Sequence, residues 1–88
     1  MRTRRQLAVE TGTGSLSAGG GLHTVSYTVI TWGTFDGETL CIRERSGFLE
    51  GDTAWPSGVA ELRLEGGQNC RILLRRSGTF AMSEAMLR

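Results

Sequence analysis

The chain has 88 residues, 39% of them hydrophobic, and a formal net charge of +1. One domain of this size buries only about two thirds of its unfolded surface, so its stability margin is small or is supplemented by assembly. Near-neutral charge excludes a global drive toward nucleic acid or anionic membrane, and no apolar run approaches the roughly 20 residues of a membrane span.

Thirteen glycines against a single proline point to strands and turns. All ten basic residues are arginine. Two readings stand: a GC-rich coding sequence, or bidentate pairing with carboxylates across interfaces.

Met1 to Gln6 is basic, and no apolar segment follows it, so a secretory signal is not expected. Leu7 to Val9 can make a short strand. Thr11 to Gly21 (TGTGSLSAGGG) holds too little apolar surface to order itself and reads as a flexible connection. Residues 1–21 are therefore expected to form a flexible basic arm, either a solvated tail or an extension laid on a neighbouring subunit. On this reading residues 1–20 are dispensable for folding. The glycines do not form a phosphate-binding loop, because the Lys-Ser/Thr ending is missing.

His23 to Trp32 reads as a strand. Val25, Tyr27 and Val29 alternate with Ser26 and Thr28. Ile30 and Trp32 fall on the opposite face, so a bulge near Ile30 or a sheet covered on both sides is expected. A turn over Gly33 to Gly37 leads to a second strand, Glu38 to Arg45. There Leu40 and Ile42 share one face, and Thr39, Cys41, Arg43 and Arg45 share the other.

Ser46 to Gly58 reads as a loop whose Phe48, Leu49 and Trp55 must pack on the domain's own sheet or on a neighbour. Glu50 and Asp52 lack the rest of a calcium-binding ladder. In the following hairpin Ala60, Leu62 and Leu64 face the same way as Cys70, Ile72 and Leu74. A three-residue loop, Gly66 to Gln68, would pair Leu64 with Cys70, Leu62 with Ile72 and Ala60 with Leu74 in a bulged hairpin. Ser77-Gly78 turns the chain again. Thr79 to Arg88 favours helix on propensity, but the need of the preceding strands for a partner favours a strand.

The two cysteines and His23 lack metal-ligand spacing, and no metal or cofactor is expected. A Cys41–Cys70 disulfide and two reduced thiols both remain open. No paired carboxylates or nucleophile–base pair sits on a common face, so no enzyme is expected.

The run Tyr27 to Leu40 (YTVITWGTFDGETL) resembles a segment of small tailed-bacteriophage virion proteins, in which a strand ends in Gly-Thr-Phe-Gly-Gly. Here Gly33, Thr34, Phe35 and Gly37 match and Asp36 departs. Trp55 corresponds to a loop tryptophan, and Gly66-Gly67, Cys70-Arg71 and Gly78 to later turns, with Cys70 replacing an aromatic. The resemblance covers roughly residues 20 to 88.

It implies an all-β fold, a small antiparallel, jelly-roll-like β-sandwich over residues 22–88. It also implies a virion location and a role as capsid decoration, cement or head–tail accessory. The partners it implies are capsid or other virion proteins, with a homotrimer favoured and no membrane or nucleic acid. The expected interface residues are Arg2, Arg4, Arg5, Leu7 and Val9 in the arm and Phe48, Leu49 and Trp55 in the loop. The competing reading is a β-barrel module that stacks single-stranded nucleic acid or glycan on Tyr27, Trp32 and Trp55.

Overall fold

The computed structural model describes residues 2–51 and 54–82. Its elements are β1 (Arg2–Ala18), β2 (Gly21–Asp36), β3 (Thr39–Leu49), β4 (Gly58–Arg63), β5 (Asn69–Leu74) and β6 (Thr79–Met82). They are antiparallel and close into one barrel in the order β1-β2-β3-β6-β5-β4. The all-β expectation holds. The sandwich does not, because β4 returns to β1 and pairs Ser15 to Ser17 with Arg63 to Glu61, joining the sheet to itself.

The expected flexible arm is the longest strand of the barrel. β1 pairs with β2 along its whole length. Gly19 and Gly20 join the two with φ of 60° and 81°, the conformation a two-residue type I′ hairpin requires. Gly12 and Gly14 belong to this strand for a steric reason. The Tyr27 ring occupies the space where their side chains would be, with its hydroxyl 2.5 Å from a Cβ built on Gly12. A Cβ on Gly14 would stand 2.0 Å from the Arg63 carbonyl oxygen, so its absence lets β4 approach β1. The Glu65 N–H donates to the Tyr27 hydroxyl at 2.9 Å, and the Glu65 carboxylate accepts the Thr13 N–H at 3.1 Å. One aromatic side chain thereby ties β2, β1 and the β4–β5 turn together.

Strand alternation fills the barrel. Val25, Tyr27 and Val29 point inward from β2, as their spacing predicts. Leu16, Leu62, Ile72 and Leu74 meet them, each fully buried and worth about 1.5–3 kcal/mol relative to exposure. Phe80 and Met82 add the inward face of β6. A strand starting at Thr79 is thus correct through Met82; the rest of that segment lies outside the described residues.

The β4–β5 hairpin has the expected faces and a three-residue loop, but the loop is Glu65 to Gly67. Ala60 pairs with Ile72 and Leu62 with Cys70. The Leu64 N–H donates to the Gln68 carbonyl and the Gly67 N–H to the Leu64 carbonyl, both at 2.8 Å. The last loop position needs positive φ, and Gly67 (φ 95°) supplies it where Gln68 would be strained. This register sets Glu61 opposite Arg71 instead of Arg63 opposite Arg71. The Arg76 to Gly78 loop has the same construction, with Gly78 at φ 99°.

The turn expected at Gly33 to Gly37 is shorter. Gly33, Thr34 and Phe35 are part of β2, and the reversal is at Gly37 and Glu38. No extra residue lies in β2 near Ile30. The extra residues are in its partners, Leu7 in β1 and Cys41 in β3. Cys41 therefore splits Leu40 and Ile42, expected together, between opposite faces.

The barrel is strongly staggered. Val9, Ile30, Ser46, Ala81, Leu73 and Val59 form one continuous row of paired residues across all six strands. Extending the β1–β4 register by two residues returns that row to Gly19, just past the end of β1 and ten residues beyond its start at Val9. This offset is the shear of the barrel. It leaves the first part of β1, the end of β2 and the start of β3 projecting beyond the closed part, in a body of 43 × 26 × 21 Å.

Gly14→Ala should cost about 1–3 kcal/mol by forcing β4 away from β1, and Tyr27→Phe about 1 kcal/mol through the lost hydrogen bond. Urea unfolding measures both; a neutral Gly14→Ala would refute the close-approach account.

Candidate protein interface

The projecting part is a three-stranded blade built from residues 2–12 of β1, 28–36 of β2 and 39–45 of β3. β4 reaches β1 only at Ser15 to Ser17, and β6 reaches β3 only at Ser46 to Phe48. Both long edges of the blade thus lack a further strand among the described residues.

Directly paired residues share a face. On the face that continues the barrel interior, Phe35 lies between Thr3 and Leu40, Gly33 between Arg5 and Arg43, and Thr31 between Ala8 and Arg45. Leu7, Phe35 and Leu40 converge over Gly33, each with a carbon 2.9–3.0 Å from where a Cβ would stand. The Arg5 guanidinium lies 4.9 Å from the Phe35 ring centroid. Arg45 reaches to within 3.9 Å of the Glu10 carboxylate at the mouth of the barrel.

On the opposite face Trp32 lies between Gln6 and Glu44, Ile30 between Val9 and Ser46, and Thr34 between Arg4 and Ile42. Arg4 covers Trp32 at 4.3 Å from the ring centroid and lies 3.6 Å from the Glu44 carboxylate. Beside them a groove of about 490 Å³ runs along Trp32, Ile30 and Phe48 to Arg75. Val9 is 51% exposed, Ile42 43% and Phe48 42%. The blade therefore offers apolar side chains to solvent on one face and arginine-flanked apolar side chains on the other.

The structure brings Arg2, Arg4, Arg5, Leu7 and Val9 together on β1, all exposed. Phe48 faces outward one strand pair away. Leu49 does not join them. Period-two alternation turns it into the core at 4% exposure, and its N–H donates to the Gly78 carbonyl. Trp55 likewise takes the inward of its two expected placements and does not join the interface set. It packs against the core, touches Gly78, and stands edge-on to His23 with ring centroids 5.9 Å apart. Ile42, Leu40 and Arg43 belong to the surface although the sequence reading did not single them out. Their signal was a strand in which both alternating sets carry large side chains.

The three aromatics of the stacking alternative do not meet on a surface. Tyr27 is inside the barrel at 1% exposure, Trp55 lies against the core, and Trp32 is roofed by Arg4. Cys41 and Cys70 are thiols and not a disulfide. Among the described residues no group of three or more His, Cys, Asp or Glu side chains could hold a metal ion. No protein-family model, no curated protein and no solved structure matches the chain.

Arg4→Ala should lower stability by less than about 1 kcal/mol, since its ring and carboxylate contacts are both solvent-facing. A loss of several kcal/mol in thermal or urea unfolding would make Arg4 a structural residue instead of a surface one.

Proposed function

We propose that this chain is a non-enzymatic bacteriophage virion structural protein, a capsid decoration or head–tail accessory subunit that assembles on other virion proteins. The observation that carries the reading is the blade. Its sheet presents Val9 and Ile42 on one face, continuous with Phe48 on the barrel wall, and Leu7 and Leu40 on the other, so both sides carry apolar surface that a monomer normally covers. Such a surface gains free energy when another protein covers it. The resemblance of residues 20 to 88 to small tailed-phage virion proteins supplies the setting, and self-association as a trimer is the oligomer the reading favours.

The test is particle binding. Removing residues 1–20 is unsuitable, because β1 is part of the barrel and the variant would unfold. Val9→Glu together with Ile42→Glu places two charges on the exposed face and should leave the melting transition nearly unchanged. The variant should then fail to co-sediment with virions that carry the parent chain. Undiminished decoration by the variant, or absence of the parent chain from purified virions, would sink the proposal.

A further inference from the structure

We propose that the free edge of β1 from Arg2 to Thr11 takes up an acidic strand of a partner protein, which adds to the blade as a fourth strand. This inference rests on reading the blade as an assembly surface, and it states the chemistry of what binds there.

Backbone geometry makes the edge available. The Thr13 N–H points away from β2, because it donates to the Glu65 carboxylate. Strand alternation therefore turns the N–H and C=O groups of Thr11 and Val9 to the same side. No strand pairs with them there among the described residues, and every residue from Arg2 to Thr11 is exposed. Glu65 closes the edge at Thr13, so an added strand would occupy the blade alone.

Charge selects the occupant. Arg2, Arg4 and Arg5 fall within four residues, and the only carboxylate of β1 is Glu10, already drawn toward Arg45. Two copies paired edge to edge across a two-fold axis at this basic end would set Arg4 against Arg4. The extra residue at Leu7 also breaks any longer self-register. Like charges directly opposite destabilise a pair, so a second copy is the wrong partner and an acidic strand the right one.

The arginines are also held ready. Arg4 lies over Trp32 on one face, beside the exposed Glu44 carboxylate at 3.6 Å, and Arg5 lies over Phe35 on the other. A stacked guanidinium keeps its N–H edges for bidentate carboxylate contact. The complementary strand thus carries acidic residues at successive positions, one for each face, and apolar residues opposite the exposed Leu7 and Val9. That apolar requirement favours a protein strand over a nucleic-acid backbone.

The test uses the whole chain and a short synthetic peptide with two adjacent glutamates followed by alternating valine and threonine. Two control peptides carry lysine for glutamate, or N-methylated amides with the glutamates kept. The glutamate peptide should bind in fluorescence anisotropy and slow amide exchange at Val9 and Thr11; neither control should. Arg4→Ala with Arg5→Ala should weaken binding by about tenfold or more with an unchanged thermal melt. Thr11→Pro removes one outward N–H and no β1–β2 bond, and should weaken it as well.

Equal binding of the lysine or N-methylated peptide, or full affinity in the arginine variant, would overturn the inference. So would displacement of the peptide by a single-stranded oligonucleotide, or self-association that protects the same amides. Co-sedimentation with virions is a separate readout: a chain that binds the peptide but is absent from particles fails only the virion reading. A chain found on particles that ignores the peptide fails only the edge assignment.

Discussion

The Tyr27 ring can lie between β1 and the β4–β5 turn only because Gly12 and Gly14 have no side chains beneath it. Much of the architecture depends on that contact. It brings the Glu65 N–H to the phenol oxygen and leaves room for the Arg63 carbonyl against Gly14. β4 can then pair with β1 over three residues and close the sheet. Within the closed part, this pairing removes the open edges that a sandwich of the same six strands would have to protect. It also lets a small domain bury Leu16, Leu62, Ile72 and Leu74 completely. At Gly47 a Cβ would meet the Thr28 carbonyl oxygen at 2.0 Å and the Phe80 ring at 2.8 Å, so the β3–β6 side closes by the same means.

Unequal strand lengths and the ten-residue stagger then determine where surface is left over. β4 and β5 have six residues each and β6 has four among the described residues, whereas β1 and β2 have 17 and 16. The surplus cannot be enclosed, and it leaves the barrel as the blade. On one face the compensation is local: Leu7, Phe35 and Leu40 converge over Gly33, the position where a side chain would have held them apart. On the other face Arg4 shields Trp32 while Val9, Ile42 and Phe48 stay in solvent. The stable part of the molecule and the part read as an assembly surface are thus different lengths of the same strands.

Much of the candidate surface was legible from the arginines and apolar residues near the N-terminus, although for a different reason. Arg2, Arg4, Arg5, Leu7 and Val9 were read as an arm because Thr11 to Gly21 looks like a linker by composition. A pattern was present in that segment. Gly12 and Gly14 alternate with Thr11, Thr13 and Ser15, and Gly19-Gly20 is a two-residue turn between potential strands. Glycine at every second position marks a face that another group must fill, but the group is Tyr27, thirteen to fifteen residues away. Leu49 and Trp55 take the inward of the two placements open to them, the domain's own core. A loop reading ignores alternation, and β3 continues through Leu49, which turns Phe48 out and Leu49 in.

By itself, the sequence determined the strand class, the inward sets Val25-Tyr27-Val29, Ala60-Leu62-Leu64 and Ile72-Leu74, and the odd loop of the β4–β5 hairpin. These follow from period-two alternation and short-range turn chemistry, which operate between residues close in the chain. Only the tertiary structure decided that the sheet closes, that its first strand is the glycine-rich N-terminus, and that Leu40 and Ile42 part at Cys41. The first two outcomes depend on contacts between distant residues, Gly14 against Arg63 and Tyr27 against Glu65, and the third on the pairing register of β2 with β3. Periodicity within a strand carries no information about which strand will come to lie beside it.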